Sequence, residues 1–122
     1  MYTPHRLGAV GETLAADYLS THGYTLLDRN WRAAHYLRGE LDIVAHLGNR
    51  LVFVEVKTSS ATSAHALAHI TTQKCRQLQS LAFAWRDAHP DVGGYSRGDV
   101  IAVTIPRHNP DQTALLHLEG VW

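Results

Sequence analysis

The chain has 122 residues, 45% apolar and 18% charged, enough for one folded domain and too apolar for a wholly disordered chain. Eleven Lys and Arg offset eleven Asp and Glu, so the net charge is zero and the chain is not the overall polycation that most nucleic-acid binders present. No apolar run nears the ~20 residues of a membrane helix, MYTPHRLGAVGE lacks an apolar signal core, and the single Cys75 excludes an internal disulfide or cysteine cage. A cytoplasmic single domain over residues 1–122, with no membrane partner, is expected.

The first element reads as a helix. Leu7, Val10, Leu14, Ala15, Tyr18 and Leu19 recur at three- and four-residue spacing, Thr3-Pro4 suits its start, and Gly23 suits its end. Tyr24 to Arg32 reads as a strand, followed by a less regular stretch through Tyr36. ELDIVAHL and RLVFVEVK then flank Gly48-Asn49, the signal for a two-residue hairpin. That turn sets the register. Leu41 faces Val56, Ile43 faces Val54 and Ala45 faces Val52 on one apolar face. On the other, Val44 meets Phe53, Asp42 meets Glu55 and Glu40 meets Lys57.

Residues 58 to 69 read as a loop leading into a helix from Ile70, with Cys75, Leu78, Leu81, Ala82 and Trp85 as its apolar stripe. His89-Pro90 ends that helix, because a residue before proline avoids the helical region. Asp91 to Gly98 is a loop, Asp99 to Ile105 a β-branched strand, Pro106 to Asp111 a turn, and Ala114 to Trp122 a final strand. The expected order is αβββαβ(β), an α/β fold with a mixed central sheet flanked by helices.

The charged end of the hairpin carries the chemistry. Directly opposed side chains in an antiparallel pair lie ~5 Å apart, and like charges there repel. Asp42 against Glu55 is such a pair. A divalent cation with oxygen ligands removes the repulsion, and Lys57 on the same face suits a water or a phosphate. The same residues also suit a surface Glu40–Lys57 ion pair with the other two carboxylates solvated.

Asp42, then Glu55-Val56-Lys57 on the next strand, resembles the PD-(D/E)xK nuclease core. Gly8-x-x-Gly11-Glu12-x-x-Ala15, Asn30-Trp31-Arg32, Gly39-Glu40-Leu41-Asp42-Ile43-Val44-Ala45, Val52-Phe53-Val54-Glu55-Val56-Lys57-Thr58 and Arg97-x-Asp99-Val100-Ile101-Ala102-Val103 resemble the bacterial YraN-like family. That family is related in fold to archaeal Holliday-junction resolvases, and the resemblance covers nearly the whole chain. It implies a restriction-endonuclease-like fold and Mg²⁺ or Mn²⁺ as cofactor. It implies Asp42 and Glu55 as metal carboxylates, the Val56 carbonyl completing the site, and Lys57 as the catalytic lysine. Glu12 matches the first-helix glutamate of such nucleases; an acidic residue favoured near a helix N-terminus is the alternative. Glu40 supports the site by orienting Lys57 or through a metal-bound water. Gln73 and Lys74, at the start of the second long helix, and Arg38 are the candidate nucleic-acid contacts, with a solvated helix face as the alternative for Lys74. Arg97 and Asp99 are expected to be supporting, an Arg–carboxylate pair at a strand start.

Three departures from the family pattern stand out: Ser59 where many relatives carry a basic residue, a Ser/Ala/His loop after it where the family is usually richer in charge, and Gly98 where the family usually has an apolar or aromatic residue. His65 and His69 lack a third zinc ligand, and Trp31 and Trp85 suit core packing better than base stacking. The expected function is divalent-metal-dependent hydrolysis of DNA phosphodiesters, on branched or damaged DNA. RNA is the lesser alternative, and a resolvase of a two-fold junction needs a homodimer. The competing reading is a non-catalytic nucleic-acid-binding or protein-adaptor module on the same fold, which zero net charge favours.

Overall fold

The computed structural model describes residues 2–34 and 37–122; His35 and Tyr36, which end the stretch expected to be irregular, lie outside them. A helix, α1 (Pro4–Thr21), leads into strands β1 (Thr25–Trp31), β2 (Leu41–Leu47) and β3 (Arg50–Ser59). Two helices follow, α2 (Ser63–Leu67) and α3 (Thr72–Ala88), then β4 (Tyr95–Thr104), a 3₁₀ turn (Pro110–Gln112) and β5 (Ala114–Leu118). The sheet runs in the order β1-β2-β3-β4-β5. Only β3 and β4 pair in parallel, across the connection through α2 and α3. The fold is thus a five-stranded mixed sheet with helices on both faces, and no helix among the described residues is long and apolar enough to cross a membrane.

Local chemistry accounts for the element ends. Thr3 caps α1 by accepting from the Arg6 amide, with Pro4 in the first turn, and Gly23 leaves the helix at φ +89°. Thr71 caps α3 by accepting from the Lys74 amide. Gly48 at φ +58° is the one left-handed residue of the hairpin turn, the II′ pattern. The hairpin takes the expected register from Leu47–Arg50 to Ile43–Val54.

Four boundaries differ from expectation. A short helix, α2, occupies part of the expected loop, because Thr62 caps it by accepting from the His65 amide. The second long helix begins at Thr72 rather than Ile70, since Thr71 supplies the cap two residues later. β4 begins at Tyr95, four residues before Asp99, because Arg50 to Phe53 offer a parallel ladder that local composition does not reveal. The final strand stops at Leu118. Beyond it the Val121 and Trp122 amides both donate to the Gly98 carbonyl, at 2.7 and 3.2 Å. A side chain at residue 98 would collide with Trp122, so the glycine that departs from the family pattern is filled by the indole of Trp122.

One core lies between α1 and the sheet and contains Ala15, Leu19, Ile43, Val52, Val54 and Ile101. The other lies under α3 and contains Val44, Phe53, Leu78, Leu81 and Trp85. Leu41 is a correction. Alternation puts it with Ile43, yet it packs with Val44 and Phe53. Pairing with β3 has ended by then, and Leu41 pairs with Trp31 of β1, which borders the α3 core. On α1 the contact is made by Gly11, Ala15 and Ala16, while Leu14, expected in the stripe, lies at its exposed margin.

Gly11 brings α1 onto β3. A Cβ there would overlap the Thr58 side chain, which leaves no room for any residue but glycine. Gly11→Ala is expected to destabilise by about 1–3 kcal/mol despite its better helix propensity. Most of that loss should disappear in a Thr58→Ala background; chemical denaturation of the four proteins checks this, and additive losses would contradict it.

Candidate metal centre

The site lies at the outer end of the β2–β3 hairpin. Regular pairing stops at Ile43–Val54, and the Val56 amide then donates to Asp42 Oδ2 at 2.8 Å. This bond draws the Asp42 carboxyl inward beside Glu55, whose carboxylate acts on it. The expected Asp42–Glu55 apposition is therefore present. Glu55 is 3% exposed, and Lys57 Nζ and Lys74 Nζ approach its Oε2 at 3.1 and 3.5 Å. α1 adds Glu12. One carboxylate oxygen from each of Glu12, Glu40 and Asp42 lies within 4.8 Å of the others.

Glu40 does not face Lys57, as the register predicts. Its Oε2 pairs with Arg32 at 3.1 Å and its Oε1 accepts from Asn30 Nδ2 at 3.1 Å, because Lys57 is taken by Glu55. Neither the expected orienting contact nor the surface Glu40–Lys57 pair is present. Lys74 joins the cluster, whereas Gln73 and Arg38 are exposed and make no side-chain contact with it. The Arg38 carbonyl accepts from Gln77 Nε2 of α3 at 3.1 Å.

Sequence reasoning missed Asn30 as a site residue. Its Nδ2 donates to Glu12 Oε1 at 2.6 Å and to Glu40, so it ties α1 to the hairpin. Asn30 stands at φ +50°, a left-handed conformation that asparagine tolerates better than most residues. The signal was its place in Asn30-Trp31-Arg32, whose Arg32 is the Glu40 partner.

Burial first, then the neighbouring Glu55 and Glu12, pushes the Asp42 carboxyl up to about 9, with only the Val56 amide opposing. The cluster sets four carboxylates, Glu12, Glu40, Asp42 and Glu55, against three cations, Arg32, Lys57 and Lys74. Glu12 and Asp42 are the two without a cation, and the buried Asp42 keeps its proton. Oxygen donors alone, in excess of nearby positive charge, fit a hard divalent cation such as Mg²⁺ or Mn²⁺.

Asp99 has the opposite surroundings. It is fully buried (0% exposed). Arg97 clamps it through two bonds of 2.9 Å, His117 Nε2 lies 2.8 Å away, and the Gly120 amide donates at 3.0 Å. Burial pushes this carboxyl up, but the bonds from His117, Arg97 and Gly120 outweigh it and hold the group below its ordinary range. Arg97 also bonds Tyr24 and Glu119, and His117 bonds Tyr18. The network joins β4, β5, α1 and the start of β1, so Arg97 and Asp99 lie in a buried clamp apart from the acidic cluster.

The chain belongs to the UPF0102 family, known from sequence and uncharacterised: residues 11–103 match the model of Uncharacterised protein family UPF0102. It is 41% identical over 120 residues to a UPF0102 protein of Mycobacterium tuberculosis (strain ATCC 25618 / H37Rv), covering 95% of this chain and 91% of that one. A UPF0102 protein of Kineococcus radiotolerans is 43% identical over 117 residues, with 94% and 92% covered. One of Leifsonia xyli subsp. xyli is 44% identical over 117 residues, with 94% of each chain covered.

The two buried aspartates predict opposite pH signatures. Asp42 is raised in the fold, so its contribution is fully present below the ordinary carboxylate value and is lost as pH rises toward about 9. Asp42→Asn, measured in EDTA, should gain several degrees of melting temperature over the natural protein between about pH 5 and pH 8.5. Asp99 is lowered, so its contribution is present above the ordinary value and is lost as pH falls. Asp99→Asn should cost about 3 kcal/mol near pH 7, and the deficit should shrink below about pH 4. Melting differences that do not change with pH would contradict both assignments.

Proposed function

We propose that this protein is a Mg²⁺- or Mn²⁺-dependent nuclease with a restriction-endonuclease-like fold, hydrolysing DNA phosphodiesters at the Asp42–Glu55–Lys57 cluster. The observation that carries the reading is the convergence of Glu12, Glu40, Asp42 and Glu55 beside two lysines, with Asp42 held protonated by burial and then by the neighbouring acids. The spacing of Asp42, Glu55 and Lys57, and the resemblance to the PD-(D/E)xK core, support it further.

Asp42 and Glu55 would hold the cation, with the Val56 carbonyl completing the set and Glu12 and Glu40 within reach of Asp42. The cation supplies a Lewis acid for a phosphate oxygen and acidifies a bound water. Lys57 positions that water and stabilises charge developing on the phosphoryl oxygens. Lys74, in the first turn of α3, presents a second ammonium group to phosphate. Asn30 donates to both Glu12 and Glu40 and so holds the two carboxylates together beside Asp42. Gln73 and Arg38, both exposed, contact the flanking strand. The Lys57 and Lys74 side chains are each 27% exposed, so the cluster opens to a large substrate on their side.

Calorimetry with Mn²⁺ tests the metal step. The natural protein should bind, and Asp42→Ala/Glu55→Ala should lose at least tenfold in affinity. Lys57→Ala should keep Mn²⁺ binding while losing ~10²–10³-fold in metal-dependent cleavage of branched DNA. DNA binding that persists in EDTA, with no Mn²⁺ binding in its presence or absence and no effect of Lys57→Ala, would instead establish the adaptor reading.

A further inference from the structure

We propose that the outward stripe of α3 is a self-association seam on which a second copy of this chain docks antiparallel about a two-fold axis. The seam goes beyond the nuclease reading and does not depend on it. Phe83 is its centre. It is 77% exposed, on the helix face opposite the buried Leu78, Leu81 and Trp85. It lines a shallow groove of about 610 Å³ together with Arg76, Ser80 and Asp87.

Arg76, Ser80, Phe83 and Asp87 follow one another at spacings of four, three and four, the seam spacing of paired helices. The stripe is also self-complementary about the point between Leu81 and Ala82. Antiparallel docking sets Arg76 against Asp87 of the second copy and Phe83 against the small Ser80 of the second copy, twice each. Parallel docking would set Arg76 against Arg76 and Asp87 against Asp87, so charge selects the antiparallel arrangement. Among the described residues neither Arg76 nor Asp87 is engaged in an ion pair, so both are available to the second copy. A two-fold axis makes the same patch serve on both subunits, which is what this symmetry within one helix provides. A single helix pair lies at the small end of specific interfaces, so the dimer should be reversible with concentration. Lys74 is on the sheet-facing side of α3, where it meets Glu55, so the seam leaves the acidic cluster undisturbed.

Sedimentation velocity on the full chain, from roughly 2 to 200 μM, reads the equilibrium. The natural protein should rise to twice the mass of one chain. Phe83→Lys should weaken association at least ~30-fold. Arg76→Asp and Asp87→Arg should each weaken it ~10-fold, and the two combined should return it to within about threefold of the natural value. A natural protein that stays monomeric, a dimer indifferent to Phe83→Lys, or a combined charge reversal no better than the single ones would overturn the proposal. Circular dichroism melts confirm folding, and the charge-reversal cycle decides by itself should Phe83→Lys fail to fold.

Discussion

The hydrogen bond from the Val56 amide to Asp42 Oδ2 governs the charged end of this fold. A strand end leaves backbone donors without a ladder partner, and a buried one must find an acceptor elsewhere. Here the acceptor is a carboxylate. Satisfying the amide draws Asp42 out of solvent and against Glu55, so a backbone requirement creates the electrostatic problem that the rest of the cluster answers. Lys57 and Lys74 gather on Glu55, Arg32 on Glu40, and Asn30 bridges Glu12 to Glu40. The partners come from β1 and the residue after it, from β3 and from α3, and Glu12 adds α1, so the cluster also holds these elements at fixed spacing.

Asp42 and Asp99 show how one fold treats two buried carboxyls in opposite ways. Asp99 receives two bonds from Arg97, one from His117 and one from a backbone amide, so its charge is satisfied inside the protein. Removing such a group leaves the part-buried Arg97 guanidinium with only the exposed Glu119 as counter-charge, which is costly. Asp42 receives one amide and is surrounded by further acids, so its charge is not satisfied. A protein has little structural use for the second arrangement. Strongly perturbed acids held beside cations and other acids are more characteristic of functional sites than of scaffolding.

Much of this was legible from residue order. Gly48-Asn49 fixes the hairpin register, and the register places Asp42 beside Glu55 without any tertiary information. The Arg97–Asp99 clamp follows from two-residue spacing on a strand. What escaped depends on contacts between distant segments. Alternation carried one residue too far misassigned Leu41, because the β2–β3 ladder ends at Ile43 and pairing with Trp31 takes over. The same extrapolation paired Glu40 with Lys57, although Lys57 meets Glu55 and Glu40 meets Arg32, eight residues earlier in the chain. His117 and Trp122 were invisible as partners of Asp99 and Gly98, since nothing local in a short terminal strand points to them. The onset of β4 at Tyr95 depends on a parallel neighbour some 45 residues earlier, a pairing that no local pattern encodes.

Zero net charge counts against nucleic-acid binding only while charge is treated as a property of the whole chain. Around the cluster, four carboxylates face Arg32, Lys57 and Lys74, an excess of one negative charge that the Asp42 proton cancels. On the proposed reading a divalent cation takes the place of that proton, and the local balance becomes one positive charge. The change is confined to a region comparable to the Debye length of ~8–10 Å, so a phosphate at the site experiences it while distant charges are screened. An adaptor that bound nucleic acid through the same face would meet acidic side chains without that compensation. On that reading the charge count would couple the metal to the polyanion: a chain that is neutral overall would become locally attractive to phosphate once its buried acid exchanged a proton for a cation.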